Sequence, residues 1–266
     1  MFYLLKRVKT PHAVFVTRTR CFCYKPESSK GARSIRRKST GETKAERNRH
    51  NAYNRRRYLI YNNFDIGDMW VTLTRREDSL PEDPNEAHRE LTKCLAAVQR
   101  KLKKKNIPFV WFAKTEAGER TRVHHHLFIK NNFDVVSVIY DVWKKYGKVK
   151  DFSEIYNFKN GKLVKYFLDG GDHKGLTFEK YSHSRNLKEP EVEKRIYPAR
   201  SFREIPRLPK AEEGERYIIQ NLYNFCPGLD GIVYQEYELI KIKEGESYDF
   251  KENDRLMQKD KKGDNS

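Results

Sequence analysis

The stretch RVHHHLFIK, residues 122–130, constrains the fold more than any other. Side chains alternate across an extended strand, so Val123, His125, Leu127 and Ile129 share one face while His124, His126 and Phe128 share the other. The apolar set must be covered, whereas a histidine pair can remain in contact with water or a ligand. Such a strand belongs in a sheet with helices on one face and an open second face.

The flanking segments supply that sheet and those helices. MWVTLTR alternates in the same way, with Val71 and Leu73 opposed to Trp70, Thr72 and Thr74. SLPEDPNEAHRELTKCLAAVQRKLKKKN predicts a helix: Asp83 is a capping residue, Pro84 suits the first turn, and Glu86 stands at capping-box spacing. Leu91, Leu95, Val98 and Leu102 form its apolar stripe, and Lys101 to Lys105 lie where the helix dipole favours positive charge. PFVWFAK is a second strand, joined to RVHHHLFIK through AGERT as a hairpin. DVVSVIYDVWKKYG predicts a second helix ending at Gly147, GKVKDFSEIYNF a further strand, and GKLVKYFLDGG a short helix. The order strand, helix, strand, strand, helix, strand is that of an α+β, ferredoxin-like or RRM-like split βαβ domain, an antiparallel sheet with helices on one face and the metal and DNA site on the other.

This domain is expected over residues 66–190. Residues 1–65 read as a strand or hairpin (HAVFVTRTRCFCY) followed by a basic arm with too few apolar residues to pack. Residues 191–242 form an extension that either completes the sheet or makes a small appendage, and 243–266 a disordered charged tail. With 55 Lys+Arg against 37 Asp+Glu, the net charge of +18 attracts polyanions, and nucleic acid is the first partner to consider. No apolar run is long enough to span a bilayer, so a soluble, intracellular chain without a membrane partner is expected. The four cysteines (Cys21, Cys23, Cys94, Cys226) include no C-x-x-C pair, which argues against a zinc ribbon or a disulfide scaffold.

His124 and His126 are about 7 Å apart at the backbone by strand rise, close enough for both imidazoles to reach one divalent cation. Glu116, at the hairpin end of the preceding strand, is the third candidate ligand, and its carboxylate suits Mg²⁺ or Mn²⁺. His125 points the other way and is not a ligand. A divalent ion on a basic surface can polarise a phosphate, which leaves a nucleophile to be found. In GKLVKYFLDGG, Leu163, Val164, Phe167 and Leu168 fall on one side of a helix and Lys165, Tyr166 and Asp169 on the other, so Tyr166 is a candidate. Water is an alternative nucleophile. A non-catalytic module stacking bases on Trp70 and Phe128 would use the same face.

From Trp70 to Pro190 the chain resembles the HUH endonucleases, and among them the rolling-circle replication initiators of plasmids, phages and integrated elements. WVTLTRRED resembles the family's first motif. TEAGERTRVHHHLFI resembles its Glu-x-Gly and His-hydrophobe-His strand at Glu116, Gly118, His124 and His126; LVKYFLDGGDHKG resembles the helix of the catalytic tyrosine at Tyr166, and YSHSRNLKEP a downstream Ser-Arg-Asn-Leu segment. The resemblance implies a metal-dependent single-stranded DNA endonuclease and strand transferase. Tyr166 would attack an origin phosphate, leaving a 3′-hydroxyl for a host polymerase and a 5′-phosphotyrosine for later rejoining. Arg120, Arg122, Lys165, Lys174 and Arg185 are the cations it would set against DNA. A separate helicase would unwind the duplex, since no P-loop is present, and the setting would be a bacterial cytoplasm. Single-tyrosine transposases and relaxases run the same chemistry. The chain departs from the family pattern at His125, usually hydrophobic, and at Asp169, where a lysine often follows the tyrosine by three residues. The second departure leaves Lys165 or Lys174 to orient the phosphate and keeps Tyr181 open as an alternative nucleophile.

Overall fold

The alternation in the two strand motifs is realised in the computed structural model. Strands β3 (Met69–Arg75) and β5 (His124–Ile129) pair antiparallel, with Val71 opposite Leu127 and Leu73 opposite His125. Together with α2 (Pro84–Lys104), β4 (Trp111–Glu116), α3 (Phe133–Trp143) and β6 (Gly147–Glu154) they follow the expected element order. The sheet runs β6-β3-β5-β4, all antiparallel, and β7 (Tyr181–His183) adds a fifth strand beside β4. This is the split βαβ arrangement. The structure describes residues 2–21, 41–76, 83–117, 123–156, 161–169, 181–202, 205–225 and 234–243. The chain divides into two units, Lys44–Glu189 and Met1–Thr43 with Pro190–Ser266.

One face of the sheet is covered by α2 and α3. Leu91, Leu95, Val98 and Leu102 are at most 3% exposed and pack with Val71, Leu73, Ala113, Leu127, Val135 and Trp143. Each such side chain contributes roughly 1.5–3 kcal/mol by burial. The carboxylate of Asp83 caps α2 by accepting from the Asn85 amide at 2.8 Å, and Asn132 caps α3 by accepting from that of Asp134 at 2.9 Å. Helix α3 stops at Trp143, before the expected Gly147, which is instead the first residue of β6. A Cβ there would lie 1.8 Å from the Thr74 carbonyl oxygen, so only glycine allows β6 to approach β3 this closely.

The second face is open only in part, contrary to the expectation of an uncovered surface. Helix α4 (Lys162–Asp169) seats Phe167 against Phe128, Trp70 and Phe112, with ring centroids 4.9, 5.5 and 5.8 Å away. Phe64 reaches Phe128 as well, at 5.6 Å. Three aromatic rings side by side on one sheet face present too much apolar surface to leave in water. Trp70 is consequently 8% exposed and Phe128 fully buried, which removes both as stacking platforms for bases.

Two further expectations change. Residues from Gly41 onward, read as an unpacked basic arm, form helix α1 (Gly41–Asn63). Its arginine-rich part stands ahead of Tyr58, Leu59, Ile60 and Tyr61, all buried, so four consecutive residues in the last turns supply the packing that the rest of the segment lacks. The preceding part of the arm and the C-terminal tail after Lys243 lie outside the described residues. The C-terminal extension does not complete the split βαβ sheet. Its strands β8 (Glu191–Pro198), β9 (Glu215–Phe225) and β10 (Tyr234–Lys243) join β1 (Phe2–Lys9) and β2 (Val14–Cys21) in a second antiparallel sheet, ordered β8-β1-β2-β10-β9. Tyr3, Leu5, Val16, Tyr237 and Leu239 form that sheet's core.

Candidate metal and DNA-processing site

Strand register builds the site. Reading across β3, β5 and β4, the second face carries three rows: Trp70, Phe128 and Phe112; Thr72, His126 and Lys114; Thr74, His124 and Glu116. The first row is sealed by α4. The other two bring both histidines and the glutamate together, their ligand atoms all within 4.8 Å of one another. His124 Nε2 lies 3.2 Å and His126 Nε2 3.9 Å from Glu116 Oε2. His125 faces the core, fully buried, its Nδ1 3.0 Å from the Thr115 hydroxyl and its ring edge-on to Trp143.

The donor set fits a divalent cation. The Thr72 hydroxyl engages His126 at Nδ1, 3.2 Å away, and so presents Nε2 to the site, where that buried nitrogen has no hydrogen-bond partner among the described residues. Burial is the main reason that the pKa of His126 falls to about 4, outweighing the pull of Glu116 in the other direction, so the ring is the neutral form that a metal requires. Burial opposes ionisation of Glu116 too, but the hydrogen bond with His124 and the Lys114 ammonium overcome it and bring the carboxyl down to about 2. Lys114 was not singled out in the sequence. It is fully buried, lies 2.5 Å from Glu116 Oε1, and has its own pKa lowered by burial against the pull of Glu116. The lysine holds one carboxylate oxygen and leaves the other facing the imidazoles. Three protein ligands on a sheet face leave coordination positions open to a substrate.

A cavity of about 680 Å³ opens over these residues, lined by Thr72, Thr74, His124 and His126 from the sheet, Leu163 and Tyr166 from α4, and Lys150 and Asp151 from β6. Tyr166 is 58% exposed, its ring 6.4 Å from that of His126, while Val164, Phe167 and Leu168 anchor the helix beneath it. Lys150 and Asp151 also escaped the sequence reading. Pairing shifts between Thr72 and Leu73, so β6 bulges and two consecutive residues face the cavity where alternation would admit one.

The remaining sequence candidates are dispersed. Lys165 and Arg185 are exposed, and neither lines this cavity. Arg120, Arg122, Lys174 and Gly118 lie outside the described residues. Tyr181 is buried in β7 and donates its hydroxyl to the Leu168 carbonyl at 2.6 Å. Burial raises its pKa further above the ordinary tyrosine value, which suits a structural phenol and not a nucleophile. Cys94 is a free thiol in the core, pushed up to about 12 by burial. Among the described residues no helix is long and apolar enough to cross a membrane.

No curated protein and no solved structure matches the chain. The segment that builds this site, residues 68–170, matches the family model for the replication-associated protein ORF2, a family of rolling-circle replication initiators.

Proposed function

We propose that this protein nicks single-stranded DNA at a replication origin and later rejoins it, as an HUH endonuclease with Tyr166 as nucleophile. The observation that carries this reading is the shared cavity. An exposed tyrosine on α4 faces two neutral-imidazole ligand candidates and an ionised carboxylate across one polar cleft, in a strongly basic chain. Mg²⁺ or Mn²⁺ held by Glu116, His124 and His126 would supply Lewis acidity to a bound phosphate.

The chain's own groups account for the rest. Tyr166 Oη attacks phosphorus, the bond to the 3′-oxygen breaks, and that oxygen leaves as the 3′-hydroxyl after taking up a proton. The phenolic proton needs an acceptor, and Asp151 is the carboxylate on the same cavity wall. Lys150, on that wall too, is the cation for the phosphate oxygens, the role that Asp169 cannot fill where the family has lysine. Because the phosphodiester is exchanged for a phosphotyrosine ester, the 3′-hydroxyl can attack it in turn and restore the strand without a nucleoside triphosphate.

Incubation of the full chain with a pool of single-stranded oligonucleotides and Mn²⁺ tests this. A covalent DNA adduct is expected, mapped to the peptide containing Tyr166 and absent in Tyr166→Phe, which keeps its circular dichroism and metal binding. An adduct on the Tyr181 peptide would overturn the assignment. Cleavage without adduct would make water the nucleophile.

A further inference from the structure

A second cavity of about 390 Å³ lies beside β7, away from the metal ligands. Asn51, Arg55 and Arg56 line it from one face of α1, and Phe112, Tyr181 and His183 from the sheet. Among the described residues no carboxylate is on its wall. His183 is exposed and lies nearly parallel to the buried ring of Phe112, with centroids 5.5 Å apart and planes at 25°, so one imidazole face rests on the core and the other is available. The Arg56 guanidinium sits over the Tyr181 ring at 4.5 Å. Arg55 meets Glu189 at 3.3 Å, but both side chains are largely exposed, and a phosphate can displace a partner held that weakly.

We propose that this cavity is a second nucleotide subsite, in which one base of a single strand stacks on His183 while Arg55 and Arg56 take the adjoining phosphate. Planar π surfaces interleaved with cations are what single-strand binders use, stacking tolerating any base and arginine tracking the backbone. The cavity's size falls in the range of ordinary ligand sites, roughly 300–1,000 Å³. Its position agrees: Phe112 is on the same sheet face as Glu116, four residues along β4, or about 13 Å by strand rise. Helix α4 stands between the two sites, with Tyr166 on the first cavity and the Leu168 carbonyl holding Tyr181 of the second. A strand passing the metal ligands can thus be gripped a few nucleotides from the scissile phosphate, which would hold it in register during nicking and keep the cleaved end from diffusing away. As to the ligand's class, the inference rests on the proposed action on single-stranded DNA.

The test measures binding apart from chemistry. A fluorescein-labelled, random-sequence single-stranded DNA of about 20 nucleotides is titrated with the full chain in EDTA and followed by anisotropy across a range of salt. His183→Ala should weaken binding roughly tenfold or more while leaving the salt slope unchanged, and His183→Trp, which restores a stacking plane, should recover most of the loss. Arg55→Gln/Arg56→Gln should flatten the slope of log K against log salt by about 0.7 for each phosphate no longer neutralised. Binding by His183→Ala within twofold of the parent, with unchanged circular dichroism, overturns the subsite. Should a variant misfold, photo-crosslinking of the parent chain to 4-thiothymidine DNA decides. Attachment within residues 51–59 or 181–185 supports the subsite, and attachment only elsewhere refutes it. The adduct assay on the parent chain separates the two readings. If no adduct forms but His183→Ala loses binding, the subsite stands and the nuclease reading falls; an adduct together with unaltered His183→Ala binding removes the subsite alone.

Discussion

Lys114 and Glu116 stand two residues apart on the same face of β4, and the lysine ammonium closes on Oε1 at 2.5 Å while Oε2 turns toward His124 and His126. Both side chains are almost wholly withdrawn from water, at 0% and 7% exposure. A buried lysine therefore serves as the counter-charge and the rotational stop of a candidate metal ligand.

Removing that counter-charge leaves a buried carboxylate uncompensated, at a cost of about 3–5 kcal/mol. Lys114→Met is expected to lose stability of that order without metal. A bound divalent ion replaces the missing positive charge, so Mn²⁺ should restore more stability to the variant than it adds to the parent. Denaturant melts with and without Mn²⁺ check this, and equal increments for both chains would show that Lys114 does not act through the carboxylate.

Three adjacent histidines should respond differently to truncation. His125→Ala removes a fully buried ring and leaves the Thr115 hydroxyl without that partner, a destabilisation of about 2–4 kcal/mol. His124, the most exposed of the three, should cost within about 1 kcal/mol as alanine. His126 lies between them, packed on Trp70 at 4.9 Å. Calorimetric Mn²⁺ binding should survive, among these variants, in His125→Ala and be lost in the other two.

Lys150 and Lys165 separate cavity from surface. Lys150→Ala is expected to slow adduct formation about 10²-fold with little change in DNA affinity, because its charge is spent at the phosphate under attack. Lys165→Ala, outside the cavity, should leave the rate within a fewfold. Single-turnover kinetics at saturating DNA distinguish them.

Acid should unfold the protein from the site outward. The folded pKa of His126, about 4, lies below its ordinary 6.5, so the unfolded chain binds this proton first. Stability is complete above about pH 6.5 and falls as the pH drops toward 4, by at most about 3 kcal/mol from this group. His125, lowered well below 6.5 chiefly by burial, acts in the same direction. Glu116, at about 2 against 4.5, extends the loss below pH 4.5. Denaturant melts at about pH 7, 5.5 and 4 should show the decline, and His126→Asn should make it shallower between the first two. A profile independent of pH would contradict the neutral, buried state of these rings.

Much of the site was legible because it follows local periodicities. Strand alternation separated His124 and His126 from His125, and helical spacing turned Tyr166 away from Val164, Phe167 and Leu168; neither needs knowledge of distant residues. The order of strands and amphipathic helices likewise led to the split βαβ sheet, since each apolar face had to find another. Tertiary structure decided the rest. Lys114 in WFAKTE has the sequence character of an exposed strand residue, and its burial comes from α4 closing over that face. Lys150 enters the cavity through a bulge set by pairing with β3. Phe128 and Trp70 were taken from solvent by Phe167, a residue about 40 to 100 positions further along the chain. The pairing of β8 and β10 with β1 and β2 joins opposite ends of the sequence, and α1 became a helix through the burial of its last turns. Periodicity states which way a side chain points, but what it meets there depends on segments whose approach no local pattern records.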